Sequence, residues 1–258
     1  MFKAAFFDVD WTLYDHEQHK YIESGIEAIK RIKEKGIKVF VCSARPFDSL
    51  DKFGVFNLGI DWDGYIGSAG SIAVVREKIV YKSLMNKQDV KKFLKYCDKY
   101  NLCAEIILPQ GRLLYGKPNE YVEKYYGVYA DTLPEEGEVG DKEVTGALLF
   151  APEEFDKELE EILPNLIYYR FFETGLDVMP RLHKKGFAIK KILEEIGVKP
   201  SEAIGFGDDT QDITMKEGLD TLVCMGNGKD DVKEAADFVT KEISEDGLAF
   251  AIEKYLLD

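Results

Sequence analysis

The stretch FKAAFFDVDWTLYD, residues 2–15, decides how the rest of the chain is read. Ala4, Ala5, Phe6 and Phe7 show no polar alternation, so they read as a strand buried on both faces, the kind found in parallel sheets. The run then ends on two carboxylates, Asp8 and Asp10, one valine apart. A carboxylate in such a place is costly unless a cation meets it. Aspartate also ends strands through ordinary turn chemistry, and on this segment alone the turn is the simpler reading. The rest of the chain reverses that.

Working outward, SGIEAIKRIKEKG (24–36) sets Ile26, Ile29 and Ile32 on one helical face and closes at Gly36. IKVFVCSARP (37–46) reads as a second buried strand stopped by Pro46, and GYIGSAG (64–70) as a third. Helices between buried strands imply right-handed crossovers and a parallel sheet. The last quarter returns to this pattern. KGFAIKKILEEIG (185–197) is an amphipathic helix, and EAIGFGDD (202–209) is a buried strand that again ends on aspartates. TLVCMGNG and FVTK supply further short strands.

The middle differs in character. DVKKFLKYCDKY (89–100) is helical, and CAEIILPQGRLLYG (103–116) reads as a hairpin turning at Pro109-Gln110-Gly111. EVTGALLFAP, EEFDKELEEIL and LIYYRFFETGLDVMP follow as strand, helix and a second hairpin. The expected fold is therefore α/β: a doubly wound, mostly parallel, Rossmann-like core of residues 1–82 and 183–258, interrupted by an α+β domain over residues 83–182.

The chain has 258 residues, 45% apolar and 32% charged, the composition of an ordinary globular protein with a sizeable core. Its net charge of −14 argues against a nucleic-acid partner, because phosphate backbones require clustered Lys and Arg. No apolar run approaches the ~18 residues needed to span a bilayer, and the early aspartates do not fit a signal peptide. Cys42, Cys97, Cys103 and Cys224 form no CxxC pair, and Cys42 and Cys224 read as buried reduced thiols. His16 and His19 lie in a polar loop and read as solvated side chains rather than a metal pair. A cytoplasmic protein without membrane partners is expected, and its oligomeric state is left open.

In a doubly wound sheet, ligands bind beyond the carboxyl ends of the strands. Four such ends carry reactive groups: Asp8 with Asp10, Ser43 with Arg45, Ser68, and Asp208 with Asp209 and Asp212. Lys184 and Lys185 open the helix after the insert. Two acidic clusters at matching strand ends suit a hard cation such as Mg²⁺, which takes one or two carboxylates and keeps several waters.

Here the sequence resembles a known family. DVDWTL looks like the DxDGT[LV] signature of the haloacid dehalogenase-like hydrolases, and VCSARP like their second motif. HKKGFAI is similar to the K-G-x-A of the third motif, and GFGDDTQDI to the GDxxND of the fourth. The position of the inserted domain, and the closing segments MGNGKDDVKEAADFVT and EDGLAFAIEKYL, resemble Cof-type phosphatases with a C2-type cap. Any one motif is weak, whereas four in order are specific.

The resemblance implies roles. Asp8 would be the nucleophile, forming an aspartyl-phosphate on the way to hydrolysis of a phosphoric monoester. A phosphate dianion ~3.5 Å from Asp8 repels it by roughly 9 kcal/mol at an effective dielectric of ~20, so attack requires cations. Lys185 would be one, and Mg²⁺ held by Asp8, Asp208 and the backbone carbonyl of Asp10 the other. Ser43 would bind a phosphoryl oxygen, Asp10 would serve as general acid and base, and Asp212 would hold metal-bound water. Thr12, Arg45 and Ser68 would contact substrate, a small phosphorylated metabolite such as a sugar phosphate.

Residue-level alternatives accompany these roles. Asp209 reads as a helix cap, Lys184 as a solvated neighbour, and Asn227 equally as a turn residue. Arg112, Lys117, Tyr121, Tyr125 and Arg170 are unranked candidates for substrate choice in the insert. Trp11 stands where the family usually has Gly, Gln211 where it has Asn, and Ala44 where it has Gly; Ser68-Ala69-Gly70 replaces Asn-Gly-Ala. A packing role in the core is the favoured reading of Trp11. A phosphomutase, a phospho-accepting module and a family member without turnover remain as alternative functions.

Overall fold

The computed structural model describes residues 1–129, 133–181 and 184–257. It divides into two compact units, one of Met1–Arg45, Leu50–Tyr81 and Lys184–Asp258, the other of Pro46–Ser49 and Lys82–His183. The return to the core expected at residues 182 and 183 lies outside the described residues.

The first unit begins with β1 (Ala4–Phe7), followed by a ribbon of β2 (Tyr14–Asp15) and β3 (Lys20–Tyr21). Next come α1 (Glu23–Glu34), β4 (Lys38–Cys42), α2 (Phe47–Lys52), β5 (Gly64–Gly67), β6 (Ile72–Val75) and β7 (Lys78–Lys82). All four residues of β1 are buried, as its lack of alternation predicts. Successive side chains point to opposite faces. Ala5 and Phe7 pack with Ile26, Ile29 and Ile32 of α1, whereas Ala4 and Phe6 pack with Phe40, Ile66 and a helix that follows the second unit.

The second unit runs α3 (Lys87–Tyr100), β8 (Cys103–Leu108), β9 (Gly111–Tyr115), α4 (Glu120–Tyr129), β10 (Gly146–Phe150), α5 (Asp156–Ile162), β11 (Leu166–Phe172) and β12 (Gly175–Pro180). Its five strands are ordered β11-β12-β10-β8-β9 and pair antiparallel. The first hairpin turns between Leu108 and Gly111, where the Pro-Gln-Gly signal lies. Phe93 and Cys97 of α3 and Leu159 of α5 cover one face of this sheet together with Ala147 and Leu149. Val122 of α4, with half-buried Tyr125 and Tyr126, packs on the other face against Leu148 and Phe150.

The chain then forms α6 (Lys185–Ile196), β13 (Ala203–Gly207), β14 (Thr221–Cys224), α7 (Asp230–Ala235), β15 (Phe238–Val239) and α8 (Gly247–Ile252). The eight-stranded core sheet has the order β15-β14-β13-β1-β4-β5-β6-β7. From β15 to β5 every pair is parallel, and β6 turns back antiparallel on β5. Strand β1 is thus flanked by β4 on one side and β13 on the other. That arrangement brings the ends of three segments distant in sequence to one edge of the sheet.

The fold class follows the expectation, although the sequence signals do not pick out the β2–β3 ribbon, α2, α4 or α7. SIAVVREKIVYK (71–82) forms β6 and β7, which the strand signals did not pick out. Arg76 makes the turn between them at φ 56°, a left-handed conformation usually left to glycine. The helix expected near Thr210 is a 3₁₀ helix, Thr210–Glu217.

Candidate active site

Asp8 directly follows β1, and its backbone amide donates to Phe206 O of β13 at 2.9 Å. The residue is 6% exposed. Lys185, the first residue of α6, is 2% exposed, and its Nζ donates to Asp8 Oδ1 at 2.6 Å and to Asp212 Oδ1 at 2.5 Å. The other oxygen of Asp212 accepts the backbone amides of Asp208 and Asp209, both at 3.0 Å. Asp212 therefore acts as a strut: one oxygen fixes the loop after β13 and the other fixes the ammonium.

Two glycines permit this approach. A Cβ on Gly207 would lie 2.4 Å from the Asp212 carboxyl carbon. A Cβ on Gly70, whose φ is 105°, would lie 2.3 Å from the Lys184 carbonyl carbon. Any side chain at either position would displace the loop after β13 or the start of α6.

Ligand oxygens of Asp8, Asp208 and Asp212 all lie within 4.8 Å of one another. Burial pushes the Asp8 carboxyl well above the ordinary range, against the pull of Lys185 and with help from Asp212 and Asp10. Burial, followed by Asp8 and Asp212, pushes Asp208 up to about 9. Ionising Asp8, Asp208 and Asp212 together would leave more negative charge than one ammonium compensates. Gln211, in the same turn as Asp208 and Asp212, also has a buried Oε1 without a hydrogen-bond partner among the described residues. A hard divalent cation with its water shell fits this donor set.

Asp10 sits differently. Its carboxylate accepts from Arg45 Nη2 at 2.8 Å and Nε at 2.9 Å, and lies 2.6 Å from His16 Nε2. Burial alone would raise this carboxyl, but hydrogen bonds from His16 and Arg45 outweigh it and hold Asp10 well below the usual range. Arg45, expected at the substrate, pairs here with Asp10. His16, expected to be solvated, is Asp10's second partner; no local pattern distinguishes a histidine in a polar loop.

Ser43 directly follows β4 and is fully buried, its Oγ accepting from the Arg45 amide at 3.1 Å. Thr12 is also buried, and its hydroxyl donates to Asp208 Oδ1 at 3.3 Å. Ser68 follows β5 in a left-handed conformation, with its amide on Arg45 O. The strand ends therefore gather Asp8, Thr12, Lys185, Asp208 and Asp212 into one contiguous cluster, while Asp10 and Arg45 pair with each other.

Asp209 caps the 3₁₀ helix and pairs with Lys229, and Lys184 pairs with Glu217 at the surface. Asn227 is more than a turn residue, since its Nδ2 donates to Trp11 O and its Oδ1 accepts from the Ile243 amide. The favoured packing role of Trp11 is overturned: the residue is 36% exposed, with φ 59°. The tight turn, in which Val9 O accepts three successive amides, directs the ring out of the core.

In the second unit, Arg112 pairs with Glu105, and both side chains are at least 96% buried. Arg170 binds Asp156 and the carbonyls of Ala151, Phe172 and Glu173, an internal staple. Lys117 is exposed. All four cysteines are buried free thiols, and no helix among the described residues is long and apolar enough to cross a membrane.

A family profile described as haloacid dehalogenase-like hydrolase matches residues 5–252. YkrA of Bacillus subtilis (strain 168), whose name assigns it provisionally to the phosphatases, is 30% identical over 255 residues, 98% of this chain and 97% of that protein. Among solved structures, the subclass IIB sugar phosphatase BT4131 superposes with a TM-score of 0.83 at 33% identity, covering 98% of each chain. A Geobacillus kaustophilus HTA426 protein described only as hypothetical superposes with a TM-score of 0.91 at 25% identity, covering 100% of both chains.

Proposed function

This chain belongs to the haloacid dehalogenase-like hydrolase family, and we propose that it is a Cof-type phosphatase that hydrolyses a small phosphorylated metabolite, such as a sugar phosphate, with Mg²⁺. The observation that carries this reading is the buried Asp8–Lys185–Asp212 triad at the strand ends, with Asp208 beside it. The likeness to a sugar phosphatase supports the substrate class.

Asp8 attacks phosphorus, the bond to the leaving oxygen breaks, and Asp10, which takes up a proton as the substrate dianion binds beside it, gives that oxygen the proton. Asp10 then takes a proton from water, which attacks the aspartyl-phosphate and frees phosphate and Asp8. Lys185 and Ser43 bind phosphoryl oxygens, and Thr12, Arg45 and Ser68 shape the phosphate end of the site. Mg²⁺ held by Asp8, Asp208 and the Asp10 carbonyl, with Asp212 holding its waters, would supply the charge neutralisation that lets two anions meet.

Release of inorganic phosphate from an aryl phosphate tests the reading. Activity with Mg²⁺ that chelation removes is expected, together with a loss of at least about a thousandfold in Asp8→Asn. Asp208→Asn should raise the Mg²⁺ concentration required. Retained turnover in Asp8→Asn would refute the mechanism, and an unchanged Mg²⁺ requirement in Asp208→Asn would refute the metal assignment.

A further inference from the structure

His16 has no part in the scheme above, yet it stands in a built environment. β2 and β3 pair as a ribbon, and Asp15 Oδ1 accepts the amides of Glu17 at 2.8 Å and Gln18 at 3.1 Å. These bonds fix the turn that carries the imidazole back onto Asp10. Three rings hold it there: Trp11 at 5.1 Å, Tyr14 edge-on at 4.9 Å and Phe53 nearly parallel at 6.3 Å between centroids. Phe53 also supports the other donor, with the Arg45 guanidinium carbon 4.0 Å from its centroid.

The two oxygens of Asp10 are not equivalent. Oδ1 faces His16 Nε2 at 2.6 Å and accepts from Arg45 Nη2 at 2.8 Å and Nε at 3.2 Å. Among the described residues, Oδ2 accepts from Arg45 Nε alone, at 2.9 Å. Against a carboxylate, which only accepts, His16 Nε2 must carry the hydrogen and donate.

We propose that His16 is a positioning residue that confines the exchangeable proton of the Asp10 carboxyl group to Oδ2. The proposal rests on the acid role of Asp10 in the reading above. An oxygen already surrounded by strong donors has little capacity for a further proton, so the O–H bond forms on Oδ2. That bond breaks as the ester oxygen leaves with the proton, and it re-forms when Oδ2 takes a proton from the attacking water. The Arg45 fork grips both oxygens, whereas the imidazole adds a further donor to Oδ1 alone and so makes the two oxygens unequal.

Two variants test this. His16→Phe keeps an aromatic ring among Trp11, Tyr14 and Phe53 but removes the donor, and His16→Gln restores an N–H. Each is assayed on an alkyl phosphate, whose leaving oxygen requires a proton, and on p-nitrophenyl phosphate, whose leaving group departs without one. His16→Phe should lose roughly 10-fold or more in kcat on the alkyl ester and less than about threefold on the nitrophenyl ester. His16→Gln should recover part of the alkyl rate. Equal losses on both esters, or a parental alkyl rate in His16→Phe, overturn the proposal.

Imidazole nitrogen-15 NMR supplies a readout independent of turnover. The chain has three histidines, so the signal lost in His16→Phe identifies His16, and that signal should move in Asp10→Ala. A signal that stays in place overturns the pairing. A parent protein inactive on both esters sinks the phosphatase reading and with it the acid role of Oδ2, while the NMR shift still decides whether His16 and Asp10 are paired.

Discussion

Lys185 Nζ lies 2.6 Å from Asp8 Oδ1, although the two residues are 177 positions apart. Burial alone would lower the pKa of this ammonium; Asp212 and Asp8 outweigh it and hold Lys185 well above its ordinary range. The lysine is thus a fixed positive charge at neutral pH, enclosed by the groups that keep it charged.

Lys185→Met keeps most of the side-chain volume and removes that charge, leaving buried carboxylates without a counter-ion. A stability loss of roughly 3–5 kcal/mol is expected, together with loss of turnover. Added Mg²⁺ should recover part of the melting temperature by neutralising the same acids. Thermal melts with and without Mg²⁺ check this; a variant as stable as the parent in chelator would show the ammonium to be dispensable.

Asp177 yields a pH-dependent prediction. It lies opposite Leu148 of β10, whose other neighbour is Glu105 of β8. Burial, then Glu105, pushes Asp177 up to about 7 from an ordinary 3.8. The folded state therefore binds its proton more tightly, and this group's contribution to stability falls as pH rises from about 4 to about 7, then stays low. Asp177→Asn removes that penalty, so it should raise the melting temperature at about pH 8 and have little effect at about pH 4. A difference from the parent that does not vary with pH would contradict the assignment.

Trp11→Gly separates strain from packing. The Trp11 backbone is left-handed at φ 59°, fixed by bonds to Tyr14 O and Asn227 Nδ2. That conformation costs a non-glycine residue roughly 1–2 kcal/mol, which the residue, 36% exposed, offsets through the contact of its ring with His16. The variant should melt no lower than the parent and shift relative activity toward bulky esters. A melting loss typical of core truncation, with unchanged substrate ranking, would restore the packing role.

The legible parts of the fold share one property: their signal is local. The unalternating AAFF of β1, the three isoleucines of α1 and the Pro-Gln-Gly turn each report their own conformation within a few residues. The hairpin of β6 and β7 escaped because Arg76 adopts a left-handed turn without the glycine that ordinarily marks one. In the candidate site, the four motifs drew attention to Asp8, Lys185, Asp208 and Asp212, but not to the hydrogen bonds that join them. Nothing local separates His16 from His19, yet one meets Asp10 and the other does not.

By itself, then, the sequence determined the α/β class, the buried strand β1, the amphipathic helix α1 and the acidic strand ends, because burial periodicity and turn chemistry are read within one element. Tertiary structure alone decided the partnerships. That Asp212 braces both the loop after β13 and Lys185, that Arg45 and His16 converge on Asp10, and that Asn227 holds the Trp11 carbonyl all depend on sheet order, which sets β1 between β4 and β13. The physical reason is that a buried charge is stabilised by whichever opposite charge the fold brings within hydrogen-bonding distance, and separation along the chain carries no information about that distance.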